Sequence, residues 1–322
     1  MTSHDEIDDL QEVGFAALES GDLKAALRAG ARLKELRHSS AFELIALAHA
    51  AGGDLDEAIA ALDEGVSVAP SVWVLWQLLG NYRSDQRDFE RAAEAYSRAL
   101  ECPGANPESV HYNRATALSR NEEFQEALDT LDLIQGDVED ERLRWMVVRV
   151  RMDVLNGLGR HGEAAGVGLA SLSSLDSEVE PETAAGILAE LGRGVWQGEN
   201  DRDRAVAYAL DAVRLHKDND RAKWLLRELT GRVSTDGRHY RLLLHGDWME
   251  ADRNGEELSF FTTYHVVAES EGQAFEYAAA FEPREVLGSL TVEEAEVVAE
   301  VTDAPTGVYG TTGYSFYVRG SE

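Results

Sequence analysis

The chain has 322 residues, with 60 acidic against 30 basic side chains and a formal net charge of −30. That length accommodates one elongated array and a second domain. The charge excludes nucleic acid and anionic membrane surfaces as partners, because their phosphates would be repelled.

Cys102 is the only cysteine, so no internal disulfide can form, and a reducing compartment is expected. The opening MTSHDEIDDL is acidic rather than a charged-then-apolar leader, and no window reaches the roughly 18 uninterrupted apolar residues of a spanning helix. These features predict a soluble, cytoplasmic protein. Lysine occurs only at Lys24, Lys34, Lys217 and Lys223, so nearly all the basic charge is arginine. The acidity therefore reads first as host adaptation, and second as a binding feature for a basic partner.

In chain order, amphipathic helix pairs come first. Each second helix begins with an alanine, at Ala26, Ala58, Ala92, Ala127, Ala164 and Ala205, with successive differences of 32, 34, 35, 37 and 41 residues. The Gly21-Asp22-Leu23 turn of the first pair recurs as Gly53-Asp54-Leu55 in the second. The third pair, Trp73 to Leu100, is the best formed. Trp76, Leu79 and Gly80 share one helical face, while Phe89, Ala92, Tyr96, Ala99 and Leu100 share another. Gly80 and Ala92 suit a close approach of two helix axes. The fourth pair keeps Tyr112, Ala115, Phe124 and Ala127 but has Arg114 at a place where an apolar residue is expected. An acidic run over Gly136 to Glu141 reads as a solvated loop, and another loop lies around Ser177 to Pro181. A helix from about Asp220 to Leu229 reads as the cap on the open end of the array.

Trp76, Leu79-Gly80, Phe89, Ala92, Tyr96 and Ala99-Leu100, followed by Pro103, resemble the tetratricopeptide repeat, whose period is about 34 residues. The resemblance covers roughly residues 7–230 and implies an α-solenoid of about six repeats over residues 1–231. The first helix of each repeat would then line a concave face that holds peptide segments. The positions so implied are Gln77 and Asn81 in the third repeat, Tyr112, Asn113, Thr116 and Arg120 in the fourth, Arg149 and Asp153 in the fifth, and Arg193 in the sixth. One subclass clamps a C-terminal carboxylate with two asparagines and three basic residues. Asn81 and Asn113 fall at the asparagine positions, but Gln77, Met146 and Val150 stand where basic residues belong, so that clamp is expected to be broken.

After Thr230-Gly231 the period changes. HYRLLLHGDW, a polar turn with Asn254-Gly255, and ELSFFTTYHVVA read as a β-hairpin. A two-residue turn there would pair His245 with Tyr264 and His265 with Leu244. Ser270 and Gln273 have capping-box spacing before AFEYAAAF, which Pro283 stops. LTVEEAEVVAEV is open between a helix and a strand, with strand slightly preferred, and GVYGTTGYSFYV reads as a closing hairpin. Residues 235–322 are thus expected to form a small α+β domain.

No catalytic constellation emerges. His239 and His245 lie about 20 Å apart along a strand, too far to share one metal ion, and His265 falls on the opposite face in the expected register. Gly307, Gly310 and Gly313 lack the Lys-Ser or Lys-Thr of a phosphate loop. Cys102 sits in a turn beside Pro103 without a base in sequence. The chain reads as a non-enzymatic interaction scaffold binding a peptide segment, with no cofactor, metal or catalytic residue. The alternative is an inhibitor or antitoxin-like protein that masks a basic partner through its acidic C-terminal domain.

Overall fold

A computed structural model describes residues 3–134, 138, 140–172 and 180–319. Gly136, Asp137 and Glu139 of the expected acidic loop lie outside the described residues, as do 177–179 of the loop before Pro181. The chain forms two compact units, residues 1–143 and 144–322.

The first unit contains four helix pairs: α1 (Ser3–Glu19) with α2 (Leu23–Glu35), α3 (Ser40–Ala51) with α4 (Leu55–Val68), α5 (Trp73–Asp85) with α6 (Phe89–Glu101), and α7 (Pro107–Arg120) with α8 (Phe124–Leu131). The second opens with α9 (Glu141–Gly157), α10 (His161–Leu172), α11 (Pro181–Glu199), α12 (Arg202–Leu215) and α13 (Asp220–Thr230).

One backbone device makes all six turns within the pairs. The second residue before each second helix has positive φ: Gly21 (78°), Gly53 (85°), Arg87 (64°), Glu122 (62°), Gly159 (74°) and Asn200 (57°). The next residue is the N-cap of α2, α4, α6, α8 and α12, and the side chains of Asp22, Asp88 and Asp201 accept from the backbone amides of Ala25, Arg91 and Arg204. A left-handed residue stops the first helix and an acceptor starts the second, which is why Gly-Asp is legible as a turn. Arg87 and Glu122 adopt the same conformation with a side chain, at a cost of about 1–2 kcal/mol each.

Packing in the first unit follows the repeat. Ala26, Leu33 and Leu44 form one buried cluster, Phe42, Leu62, Leu75 and Leu79 a second, and Ala92, Tyr96, Ala99 and Val110 a third. Each joins a helix pair to the next one in sequence. Gly80 lets α6 come close to α5: a Cβ there would stand 2.6 Å from the Tyr96 ring.

The sheet comprises β1 (Arg238–Asp247), β2 (Leu258–Ala268), β3 (Thr291–Glu300), β4 (Gly307–Thr311) and β5 (Ser315–Val318), in the order β3-β1-β2-β4, with β5 also on β2. In β1, Tyr240, Leu242 and Leu244 alternate inward, as a half-buried strand requires. The helix α14 (Glu271–Ala279) packs against β1, β2 and β4. Ser270 caps it by accepting from the Gln273 amide, and the Gln273 side chain accepts from the Glu269 amide, so the capping-box spacing is realised one residue further out.

Two details differ from the sequence reading. The β1–β2 hairpin is not closed by two residues: Trp248 N donates to Leu258 O, and Asn254-Gly255 lies inside that longer loop, where Asp252 accepts from the amides of Asn254 and Glu256. The register consequently pairs His265 with Arg241 and His245 with Phe261. The C-terminal aromatic stretch is not a hairpin. β4 and β5 both run antiparallel to β2, at Tyr264–Val267 and Leu258–Phe261, and Thr312 between them still bonds to Thr263 on β2. They are successive segments of one interrupted strand. The helix α13, read as a cap, packs on α11 and α12 and also on the sheet. Leu225, Leu226 and Leu229 belong to one buried cluster with Tyr240, Phe260 and Val308, and Arg227 donates to the carbonyl of Val308 at 2.7 Å.

Candidate functional site

Within the first unit, α1, α3, α5 and α7, the first helices of successive pairs, are side-by-side neighbours. Their shared face carries six of the nine residues singled out from sequence. Gln77 Oε1 accepts from Ser109 Oγ at 3.2 Å, which ties α5 to α7. Asn81 Oδ1 accepts from the Tyr96 hydroxyl at 2.9 Å. Tyr96 is buried and its ionisation is pushed up by that burial and then by Asp85, so it stays a donor. Asn81 thus presents only its amide nitrogen to a ligand. Tyr112 is buried, and Thr116 Oγ1 donates back to the Tyr112 carbonyl at 2.9 Å, one helical turn earlier. Arg120 pairs with Asp85 at 2.7 Å, an exposed bridge of at most about 1 kcal/mol. Asn113 is half-buried and makes no hydrogen bond among the described residues.

Two groups on this face are absent from the sequence-derived set. Glu43 on α3 is half-buried, makes no hydrogen bond or ion pair among the described residues, and burial raises its pKa above the usual carboxylate range. Its charge acts on Tyr82, whose pKa is raised by burial first, then by Asp85 and Glu43. The signal was present. Glu43 stands fifteen residues before Ala58, as Gln77 does before Ala92 and Tyr112 before Ala127.

In the second unit the same offset selects Arg149 before Ala164 and Glu190 before Ala205. Arg149 lies across Gly186 of α11, where a Cβ would collide with its Cδ, and it makes no ion pair among the described residues. Asp153 and Arg193 are engaged in a network. Arg221 of α13 binds Asp153 at 2.9 Å and Glu190 at 3.0 Å, Arg193 lies 3.7 Å from Asp153 and 3.6 Å from Glu190, and Asn156 donates to the Glu190 carboxylate at 2.9 Å. Glu190 is 4% exposed. Burial drives its pKa upward, and Arg221 opposes that most strongly. The network joins α9, α11 and α13, so Asp153 and Arg193 hold helices together through partners inside the chain.

The histidines separate into two settings on the sheet. The observed register brings His239 Nε2 to 3.1 Å from His265 Nδ1. His245 Nε2 instead shares a hydrogen bond of 2.7 Å with the Tyr317 hydroxyl, and its ring stacks on Tyr317. Asp247 accepts from Ser259 and pairs with Arg319 at 3.0 Å. Among the described residues no group of three or more His, Cys, Asp or Glu side chains is placed to hold a metal ion. Gly307 and Gly310 lie within β4 rather than at a helix start. Cys102 borders an open cleft of about 530 Å³ lined by Pro70, Trp76, Arg98 and Pro103, and burial, then Glu101, push its thiol pKa above the ordinary value.

Residues 15–71 and 78–141 match the family model for the tetratricopeptide repeat. The chain carries tetratricopeptide repeats. The four helix pairs of the first unit are these repeats, and α9–α12 continue the same helix-turn-helix pattern. Among solved structures the chain is similar to PilW, a widely conserved type IV pilus biogenesis factor, with 16% identity, a TM-score of 0.51, and coverage of 59% of this chain and 84% of that one. It is also similar to PilF of Pseudomonas aeruginosa, with 18% identity, 59% and 82% coverage and a TM-score of 0.49. A third is YrrB, a tetratricopeptide-repeat protein with an unusual peptide-binding site, with 18% identity, 59% and 93% coverage and a TM-score of 0.42. At 16% identity the likeness to PilW concerns the fold alone. A search of curated proteins finds no match. The tetratricopeptide fold is that of a protein–protein interaction scaffold, and no helix among the described residues is long and apolar enough to cross a membrane.

Proposed function

We propose that this tetratricopeptide-repeat protein is a non-enzymatic scaffold that holds an extended peptide segment on the face formed by α3, α5 and α7. The observation that supports this reading most directly is Asn113, a half-buried amide that, among the described residues, has no hydrogen-bond partner, on the same face as the Gln77 and Asn81 amide nitrogens, which likewise have none there. An amide offers both a donor and an acceptor, which suits the main chain of an extended peptide. Glu43 on this face, a carboxylate with no ion pair among the described residues, selects a segment carrying a lysine or arginine, since a desolvated carboxylate gains most from a cation. Arg149, which makes no ion pair among the described residues, is proposed as a separate contact carried by the second unit. The proposed division of the chain is a helical array over residues 1–231 followed by the sheet domain over 235–322.

The test is quantitative affinity capture of partners by the full chain and by a variant with Gln77→Ala and Asn113→Ala, both checked by thermal unfolding. Partners lost by at least tenfold with unchanged melting support the reading. Undiminished capture overturns it.

A further inference from the structure

The strand β3 is unlike the rest of the sheet. It lies at the edge, where its described partner is β1 and its outer edge has no backbone partner among the described residues. Nine of its ten residues are exposed and Val292 is half-buried. Its core-side positions Val292, Ala295 and Val297 stand opposite Leu244, Leu242 and Tyr240, which are buried, yet Val297 is 50% exposed. The reason is that α14 packs on β1, β2 and β4, so the apolar face of the sheet runs past its cover onto β3. On the other face Glu294 and Glu296 stand opposite Leu243 and Arg241, and Val298, added at a bulge, is 51% exposed. The strand therefore combines an unpaired edge, regular over residues 294–297 between bulges at Glu293 and Val298, an uncovered apolar face, and four glutamates, of which Glu296 pairs with Arg241 at 2.7 Å and Glu293 lies 3.7 Å from His245.

We propose that the outer edge of β3 is a docking site for an extended basic segment of a partner protein, which adds to the sheet as a further strand. Its main chain pairs with the free amides and carbonyls of β3, small apolar side chains extend the face of Ala295 and Val297, and Lys or Arg side chains alternate with them beside Glu294 and Glu296. Charge decides the occupant. A second copy of this chain pairing edge to edge would set glutamates against glutamates, which is destabilising for directly opposed strand neighbours. A basic strand instead sets its cations beside Glu294 and beside Glu296, which Arg241 only partly neutralises from the other side. This site is independent of the reading given to the repeats, since its residues all lie in the sheet.

The probe is a fluorescein-labelled eight-residue peptide of alternating Lys and Val, titrated by anisotropy into the full-length protein. A Lys-Gly peptide of the same charge but low strand propensity serves as control. Binding of the Lys-Val peptide at least tenfold tighter than the control is expected, with slowed amide hydrogen exchange confined to residues 291–300. Glu294→Gln with Glu296→Gln should weaken it about tenfold, although this removes only two of 60 acidic residues and barely changes general attraction. Equal binding of both peptides, an unaffected double variant, or protection outside residues 291–300 overturns the proposal. So does a solution dimer in which residues 291–300 are already protected without peptide, because the edge then belongs to a second copy. The exchange measurement needs only the wild-type chain, so the outcome does not depend on how the variant folds.

Discussion

The two compact units solve burial differently. In residues 1–143 the core is a series of small clusters, each joining helices close in sequence, such as Ala26 with Leu44 or Tyr96 with Val110. In residues 144–322 a cluster of α9–α11, with Trp145, Met152 and Ile187, adjoins through α11 a larger one that runs from Ala185 to Val308 and merges α11–α13 with the sheet and α14. The first unit should therefore respond to damage as neighbouring repeats do, through local terms that nearly add, whereas the second should lose its structure as a whole.

The strongest test of this difference lies in the second unit. Lys217 Nζ is 2.6 Å from the fully buried Glu282 carboxylate and 3.5 Å above the Tyr314 ring, and Tyr264 and Tyr314 donate to the same carboxylate at 2.6 and 2.7 Å. Burial lowers the Lys217 pKa to about 8 against the pull of Glu282. Lys217→Met leaves the carboxylate buried without its cation and should cost about 3 kcal/mol. Urea unfolding should show the whole transition of residues 144–322 moving, with that of the first unit unchanged. A loss below about 1 kcal/mol would mean that the two tyrosines satisfy Glu282 unaided.

A smaller effect is expected from Gly80→Ala in the first unit. The new Cβ must displace the Tyr96 ring and strain its bond to Asn81, at about 2 kcal/mol. Hydrogen exchange should accelerate in α5–α7 and stay unchanged in α1 and α2. Uniform acceleration across residues 3–134 would show that this unit, too, opens as one body.

The smallest effect is the pH response of the sheet. Burial, and then the neighbouring His265, hold the His239 pKa below its ordinary 6.5. The unfolded chain takes up this proton near pH 6.5 and the folded chain only at lower pH. The contribution to stability is thus full above 6.5 and declines as the pH falls below it. His239→Asn should flatten the dependence of Tm on pH between 7 and 5. Some slope should remain, because burial lowers the pKa of His161 as well. An unchanged slope would remove His239 from the account.

Local order explains what could be read in advance. The spacing of Ala26, Ala58, Ala92, Ala127, Ala164 and Ala205 tracks the positive-φ residues Gly21 to Asn200 one for one, because each turn is set by the conformation of a residue five positions before its alanine. The cap at Ser270 was legible for the same reason, whereas LTVEEAEVVAEV stood open between helix and strand, with strand slightly preferred, and its pairing with β1 decides it. The hairpin register was not. Asn254-Gly255 forms a turn, but Trp248 and Leu258 decide where pairing starts, and that choice rests on burying Tyr240, Leu242 and Leu244 against helices far away in sequence. In the candidate site, the sequence placed Gln77, Asn81 and Asn113 on one face but could not tell a free amide from one already bound to Tyr96.

By itself, then, the sequence determined the helix pairs, their period and the acidic balance, since these depend on contacts within about one repeat length. Only the tertiary structure decided that Asp153 and Arg193 are tied to Glu190 and Arg221, that α13 continues into the sheet, and that β3 is left with an uncovered edge. Those outcomes depend on which distant elements meet, and pairing over such separations leaves no periodic trace along the chain.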